Sequence, residues 1–467
     1  MPSALNGRMS KLVGDKKFYQ TVLKVAVPIM IQNGITNFVS LLDNIMIGQV
    51  GTEQMSGIAI VNQLLFVFYL GIFGALSAAG IFGAQFYGKG DHQGVRHALR
   101  FKLYISFGLI LLGIFVFLQF GDQLILLYLH DAGGTTQSLD AALGFGKQYL
   151  AVMLIGLLPF GIEEAYASTL RECGETRVPM VAGIVAVFVN LGFNYLLIFG
   201  HFGFPKLGVV GAAIATVLSR YVQMLIVIGW THLHTQRVPF AEGLYKSLRI
   251  PADLTGKIIV KGLPLMVNEL LWAAGMAVLN QCYSMRGLDA IAGLNIASTI
   301  TNLFNVVFIA MGSAVSIMVG QLLGAGKMEE AKDTDTKLIA FSVGSCFVLG
   351  GILMLVAPVF PRFYNTTDQV KSLATGFIRV GAGCMPIYAF MHATYFTLRS
   401  GGKTFITFLF DSAFLWAVCV PAAFCLTTFT SLEILVLYLC MQLIDLIKCT
   451  IGFILVKKGV WLKNMVS

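Results

Sequence analysis

One acidic residue, Asp43, lies deep inside an otherwise apolar stretch that runs from Pro28 to Gly51. If the stretch is a helix, its carboxylate is roughly 12 Å from the helix end near Gly51, well inside a hydrocarbon layer about 30 Å thick. A carboxylate there must be protonated, hydrated or paired with a cation, because an unpaired charge is costly away from water. We therefore predict that Asp43 takes up H+ or Na+. The alternative is a structural Asp, satisfied by neighbouring hydroxyls and amides.

Two further acids, Glu163 and Glu164, lie within the fourth apolar stretch. Successive residues of a helix point about 100° apart, so only one of the two could readily face a central cavity. We expect this pair to attract a cationic ligand. An ion pair with Arg220, near the middle of the sixth stretch, is the alternative.

The second half of the chain carries acids and aromatic residues in its apolar stretches. Glu269 and Asp411 each lie about two helical turns from one end, and Trp272 and Tyr388 are on the seventh and tenth stretches. Aromatic faces near carboxylates can bind flat organic cations by cation–π contact and apolar burial. These four residues are therefore candidates for substrate binding, although the acids could instead simply reach water.

Other charged and sulfur-containing residues are not expected to bind a ligand. Asp445 and Lys448 are i and i+3, so we expect them to neutralise one another. The eight cysteines have no CxxC or Cys/His ligand spacing, which predicts neither disulfides nor a metal centre. A Na+ ion at Asp43 is the one metal ion that the sequence suggests.

The composition indicates the elements that must position these residues. Of 467 residues, 57% are hydrophobic and only 12% are charged, which is typical of integral membrane proteins. Apolar runs long enough to cross a bilayer recur about twelve times, separated by short polar turns. We predict an all-α integral membrane protein with twelve transmembrane helices, since a barrel would have short alternating strands.

The net charge of +9 does not require a nucleic-acid partner. Most of the 32 Lys and Arg residues fall in the loops of one side when both termini are placed on that side. This positive-inside bias predicts that both termini are cytoplasmic, in the inner (plasma) membrane of a cell. The basic loops would then face anionic lipid.

Two halves of the chain repeat the same motifs at nearly the same separation. TLRECGET (Thr169 to Thr176) matches TLRSGGKT (Thr397 to Thr404). Further matched pairs are Pro28 and Pro264, Gly51 and Gly287, Gln85 and Gln321, and Gly88 and Gly324. We predict two pseudo-symmetric six-helix bundles, an N-terminal lobe at 1–231 and a C-terminal lobe at 258–467, joined by a cytoplasmic linker at 232–257.

The motifs resemble those of the multidrug and toxic compound extrusion (MATE) transporters, of the bacterial NorM-like or DinF-like branch. The matching motifs are the pattern of Pro28, Asp43, Gly48 and Gly51, the two LRxxGxT loops, and NLGFNYLLIFGHFGFPKLGVVGAAIAT from Asn190 to Thr216. The resemblance covers essentially the whole chain. It implies a cation-coupled antiporter that exports amphipathic, mostly cationic organic compounds by alternating access. We expect a monomer that is not an enzyme and needs no cofactor beyond its coupling ion, H+ or Na+.

The resemblance also implies a cation site in the first lobe. Asp43, Asn190, Asn194 and Thr216 match the family's positions for it. Some relatives carry Asp at the position of Asn194, so this chain has one carboxylate where they have two, and the choice between H+ and Na+ stays open. The asparagines could alternatively serve as interhelical packing contacts.

The second lobe departs from the family pattern. The resemblance implies that another branch of the family binds its cation in the second lobe, with a Glu of the seventh helix and an Asp of the tenth. In this chain, Glu269 lies about one helical turn from the position of the family's Glu, and Tyr388 lies near the position of the family's Asp. The repeat gives Leu279 as the equivalent of Asp43. The lobes are therefore not expected to be chemically equivalent.

Two other functions remain as alternatives. A lipid-linked oligosaccharide flippase of the same superfamily would be expected to have a cavity rich in Arg and Lys, whereas only Arg220 and Lys448 lie within the apolar stretches. A membrane-embedded enzyme is less favoured, because the sequence has no HExxH, no paired His/Asp metal pattern and no nucleophile motif.

Overall fold

The computed structural model describes residues 12–129 and 136–467, which form helices joined by short turns. In the first half these are α1 (Lys16–Gly48), α2 (Thr52–Lys89), α3 (His92–Leu129), α4 (Thr136–Met153 and Leu157–Glu172, joined by a 3₁₀ turn at Leu154–Gly156), α5 (Arg177–Phe199) and α6 (Val209–Leu233).

The second half contains six more long helices. They are α7 (Ala252–Ser284), α8 (Leu288–Gly324), α9 (Met328–Val356), α10 (Asp368–Ser400), α11 (Thr404–Phe408, π-helical turns at Leu409–Ala413 and Leu415–Cys419, then Val420–Phe429) and α12 (Ile434–Lys457). Short 3₁₀ turns lie at His201–Gly203, Pro239–Ala241 and Phe360–Phe363.

The helices confirm the predicted membrane fold. Within the described residues, twelve helices are long and apolar enough to cross a bilayer. A helix satisfies its backbone hydrogen-bonding groups internally, which is what a segment in hydrocarbon requires. The charge bias predicts that the N-terminal segment is cytoplasmic, and residues 1–11 of that segment lie outside the described residues.

The matched motifs have matched backbone conformations. The turn after α2 has Gly90 at φ 79°, and the turn after α8 has Gly326 at φ 76°. In the two LRxxGxT loops, Gly174 and Gly402 have φ of 82° and 69°. Side chains are disfavoured in this left-handed region, so glycine is needed in both copies. At these two pairs of turns, the sequence repeat is therefore matched by the backbone conformation.

The contacts of the described residues divide the chain into two compact units. The C-terminal unit comprises Met1–Met30, Ala84–Asp91 and Ile259–Ser467, and the N-terminal unit comprises Ile31–Gly83 and His92–Ile258. The lobes predicted at 1–231 and 258–467 follow the sequence repeat instead, and they stay a prediction.

Each unit has its own apolar core. In the N-terminal unit, Val61 and Leu65 of α2 pack with Leu157 of α4 and Ala213 of α6. In the C-terminal unit, Val22 of α1 belongs to a cluster with residues of α8 to α11 and the buried Trp461.

Within the C-terminal unit, the ends of α2 and α8 cross through two reciprocal glycine contacts. A Cβ atom on Gly88 would overlap the carbonyl oxygen of Gln321, and one on Gly324 would overlap the carbonyl oxygen of Gln85. The Gln85 side chain, at the same crossing, donates to Ser400 O over 2.9 Å and accepts from the backbone N–H of Met465 over 2.7 Å. The crossing therefore leaves no room for a side chain at either glycine.

Replacing Gly324 by Ala should destabilise the protein, because a backbone carbonyl cannot move aside as the tip of a side chain can. We expect a loss of about 1–3 kcal/mol in the free energy of unfolding. The control is Gly344→Ala on α9, where the new Cβ would meet nothing within 4 Å and stability should be kept or slightly raised. Thermal unfolding of the detergent-purified variants measures both. Equal melting temperatures for the two variants would contradict this account of the crossing.

Candidate functional site

The four residues of the predicted first-lobe cation site lie together where α1, α5 and α6 meet. Asn194 Nδ2 donates to Asp43 Oδ1 over 2.7 Å and to Asn190 Oδ1 over 3.1 Å. The Asn190 amide lies 3.2 Å from Thr216 Oγ1. Three helices thus contribute to one continuous polar cluster in an apolar bundle.

The orientation of the Asn190 amide determines how well this cluster is satisfied. With its nitrogen and oxygen exchanged, Asn190 donates to both carboxylate oxygens of Asp43, over 3.0 and 3.1 Å, and accepts from Thr216 Oγ1 over 3.2 Å. That exchange suits the chemistry, because a carboxylate can only accept hydrogen bonds while it is ionised. In this orientation, Asp43 accepts from two amides.

The cluster offers oxygen ligands of the kind that hard cations prefer. These are the carboxylate of Asp43, the amide oxygens of Asn190 and Asn194, and the hydroxyl of Thr216. Asn194 Oδ1 is buried and accepts no hydrogen bond within the described residues. The described part of the chain has no group of three or more His, Cys, Asp or Glu residues placed to hold a metal ion. The donor set of the cluster is therefore one carboxylate with neutral oxygen groups.

Small residues and helical spacing bring these side chains together. Asn190 and Asn194 are i and i+4, so both lie on one face of α5. A Cβ on Gly183 of α5 would lie 3.3 Å from Gln32 Cγ of α1, and one on Gly211 of α6 would press on Leu197 of α5. Glycine at interhelical contacts allows close backbone approach, and here it lets α5 lie close to both α1 and α6.

The two adjacent acids of α4 have different partners. Glu164 forms an ion pair with Arg171, which lies about two turns further along the same face of α4, at 2.5 Å. Glu163 is almost fully buried and accepts from Gln223 Nε2 of α6 over 3.0 Å. Glu163 is therefore paired with a neutral amide, whereas Glu164 is paired with a cation.

Arg220 does not form the ion pair that was the alternative for these two acids. Its guanidinium lies over two aromatic rings instead, 4.7 Å from the centroid of Tyr69 and 4.9 Å from that of Phe160. An arginine is favoured there because it stacks on ring faces as well as donating hydrogen bonds.

A second polar cluster lies within the C-terminal unit, on α7, α10, α11 and α12. Asn268 Nδ2 donates to Asp411 Oδ2 over 3.1 Å, and Lys448 Nζ donates to Asp411 Oδ1 over 2.6 Å. Next to Asn268, Glu269 accepts from the hydroxyl of Tyr395 over 2.9 Å. Asp411 sits in a π-helical turn of α11, a distortion that recurs at functional sites.

The expected pairing of Lys448 with Asp445 is wrong. Both residues are on α12, but the ammonium group of Lys448 points across to Asp411 on α11. The sequence spacing could identify a partner within one helix and could not identify one on a neighbouring helix. The role of Asn268 was missed for the same reason, although it directly precedes a predicted site residue.

The two aromatic candidates are on the elements expected for them. Trp272, on α7, is 37% exposed in the described chain, so its indole has surface available for contact. The hydroxyl of Tyr388, on α10, donates to Gln442 Oε1 of α12. Trp416 of α11 donates its indole N–H to Leu271 O over 2.9 Å and so connects α11 to α7.

Comparison with known protein families identifies the chain. The MatE family model matches residues 28–196 and 264–440. The chain belongs to the MatE family. The two matched regions begin at Pro28 and Pro264, the pair that opens the repeat, so the resemblance found in the motifs is confirmed.

Relatives of this MatE chain span nearly its full length. It is 25% identical over 449 residues to a probable multidrug resistance protein NorM of Thermotoga maritima, covering 95% of this chain and 93% of the relative. It is 24% identical to the multidrug resistance protein PmpM of Pseudomonas aeruginosa, covering 87% of this chain and 83% of PmpM.

Solved structures have the same fold as this MatE chain. A crystal structure of MATE in complex with MaL6 matches with a TM-score of 0.84 at 19% identity, over 96% of this chain and 97% of the other. A crystal structure of MATE in the bent conformation matches with a TM-score of 0.83 at the same identity and over 96% of both chains.

Removing the ammonium group of Lys448 in this MatE protein should leave the mostly buried Asp411 carboxylate without a cation. We expect Lys448→Met to lower the free energy of unfolding by about 3–5 kcal/mol, the range found when one partner of a buried ion pair is lost. The double variant Lys448→Met with Asp411→Asn should recover most of that loss, since no charge is then left unpaired. Thermal unfolding of both variants tests this. A double variant no more stable than the single one would contradict it.

Proposed function

We propose that this membrane protein is a multidrug exporter that couples efflux of amphipathic, mostly cationic organic compounds to entry of H+ or Na+. The observation that carries the proposal is the hydrogen bond of Asp43 to Asn194, within a cluster that includes Asn190 and Thr216. It is supported by the relatives that are named multidrug resistance proteins. The protein acts as a transporter and not as an enzyme, and its only co-reactant is the coupling ion.

The coupling follows from the charge of Asp43. Proton or Na+ binding neutralises the carboxylate and stabilises one arrangement of α1, α5 and α6. Substrate stabilises the other arrangement, so the two ligands compete through a conformational equilibrium. The protein thereby opens alternately to the two sides of the membrane, with both termini on the cytoplasmic side of the inner (plasma) membrane, and it works as a monomer.

Substrate recognition depends on which carboxylates are still uncompensated. Glu164 and Asp411 are already in ion pairs, with Arg171 and Lys448. Glu163 and Glu269 accept hydrogen bonds from neutral groups. Each of these two carboxylates is therefore a candidate contact for a cationic substrate. Glu163 offers it in the N-terminal unit, and Glu269 offers it in the C-terminal unit, where Trp272 and Tyr388 add aromatic surface.

Asp43→Asn tests the coupling role. Asn has nearly the shape of Asp but neither ionises nor titrates, so ion-driven export should be abolished while the protein stays folded. The measurement is efflux of a fluorescent organic cation from vesicles on which pH and Na+ gradients are imposed separately. Asp289→Asn, which removes an exposed carboxylate near the start of α8, should export as the wild type does. Undiminished export by Asp43→Asn would refute the coupling role.

Glu269→Gln tests substrate attraction. Loss of one charge-assisted contact should raise the half-saturating concentration of a monovalent organic cation about tenfold, with little change for a neutral substrate. Glu164→Gln is the matched control on α4. It should change the half-saturating concentration only slightly, because the Glu164 carboxylate is already paired with Arg171. Equal shifts for cationic and neutral substrates in Glu269→Gln would argue for a structural role of Glu269 instead.

A further inference from the structure

A basic cavity lies at one end of the N-terminal unit, between the first turns of α3 and the linker that follows α6. We call it the linker pocket. Its volume is about 670 Å³, and its charged lining comprises Arg96 and Arg100 of α3 and Glu242, Lys246 and Arg249 of the linker. Four cations thus face one carboxylate, in a region that has no part in the coupling or substrate sites.

The two arginines of α3 hold the linker by its backbone. Arg96 Nε donates to Phe240 O over 3.0 Å, and Arg100 Nε donates to Leu244 O over 2.8 Å. Arg100 Nη2 also lies 3.2 Å from Gly243 O. These acceptors are neutral carbonyls, so the hydrogen bonds fix the shape of the linker and leave the charge of both guanidinium groups uncompensated.

The two cations of the linker are exposed at the mouth of the pocket. Lys246 and Arg249 both have solvent-accessible side chains. Within the described chain, none of the ion pairs involves either of them, Arg96 or Arg100. The pocket therefore has a net positive charge: its one carboxylate, Glu242, is outnumbered by four cations, and none of the described ion pairs involves it.

Apolar side chains continue from the basic pocket along α3. The hydroxyl of Tyr104 donates to Leu248 O over 2.8 Å, which places the linker along the helix where it enters the apolar span. Tyr104, Tyr245 and Leu248 are 47%, 59% and 62% exposed. Tyrosine favours the membrane–water interface, where its ring and its hydroxyl meet different surroundings. Cations beside exposed apolar surface match a lipid, with an anionic head group and acyl chains, better than a free anion.

We propose that the linker pocket binds the phosphate group of an anionic phospholipid, on the membrane face that carries the linker. Arg96 and Arg100 supply the floor of the site, and Lys246 and Arg249 approach the phosphate oxygens from the linker. Basic pockets beside transmembrane helices are suited to this ligand. The bound lipid holds the linker, which joins the two halves of the chain, against the bilayer.

The test uses the purified full chain in an uncharged detergent, titrated with short-chain phosphatidylglycerol. The variant Lys246→Gln with Arg249→Gln changes two exposed side chains and leaves the backbone contacts of the linker intact. We expect it to bind phosphatidylglycerol about 30-fold more weakly than the wild type does, because two cations that contact the phosphate are lost. The control Lys332→Gln with Lys458→Gln removes the same charge from exposed positions outside the pocket, and it should bind within about twofold of the wild type.

Two further probes distinguish the sources of phosphate. Short-chain phosphatidylcholine, whose head group is neutral overall, should bind much more weakly than phosphatidylglycerol, and inorganic phosphate should not displace the lipid at equal concentration. Displacement by inorganic phosphate, with the same dependence on Lys246 and Arg249, would overturn the lipid assignment in favour of a free phosphate. Equal losses in the two double variants would overturn the site itself, because binding would then reflect only the overall charge of that face.

Discussion

The hydrogen bonds to the Asp43 carboxylate are the interaction on which this account of the molecule depends. A carboxylate inside an apolar bundle is tolerated only with donors or a cation beside it. Asn194 supplies a donor at 2.7 Å, and the small residues of α5 and α6 bring Asn190 and Thr216 to the same place. Because these donors are neutral, they solvate a negative charge on Asp43 without cancelling it, which is the condition that the proposed cation uptake requires.

The Asp411 carboxylate in the second half has a different kind of partner. There Lys448 lies 2.6 Å from Asp411 and provides a fixed cation, and Leu279, at the repeat position of Asp43, is part of an apolar core cluster. A fixed ammonium group cannot leave and return during a cycle as H+ or Na+ can. The two carboxylates therefore differ in their partners: Asp43 has neutral donors, whereas Asp411 has a permanent cation. This difference supports Asp43 as the proposed coupling residue.

Much of this architecture could be predicted from the sequence. Length and apolarity locate the spans, and the paired glycines of the turns mark equivalent backbone conformations, as the positive φ of Gly90 and Gly326 confirms. What could not be predicted is the contact between helices: Lys448 has Asp445 as its i−3 neighbour, yet it reaches Asp411 on α11. The π-helical turn around Asp411 and the 3₁₀ turn in α4 change the direction of later side chains, and no residue pattern indicates either. The grouping of residues 12–30 with the C-terminal unit is likewise a result of long-range packing.

The central claim is that cation uptake at Asp43 and substrate binding oppose one another. Equilibrium binding of a fluorescent organic cation to the purified protein tests it most directly, with Na+ varied at fixed pH and pH varied at fixed Na+. Linkage requires that the coupling ion weaken substrate binding progressively in the wild type, and the account predicts no such dependence in Asp43→Asn. An Asp43→Asn protein whose substrate affinity still responds to the same ion, to the same extent, would contradict it.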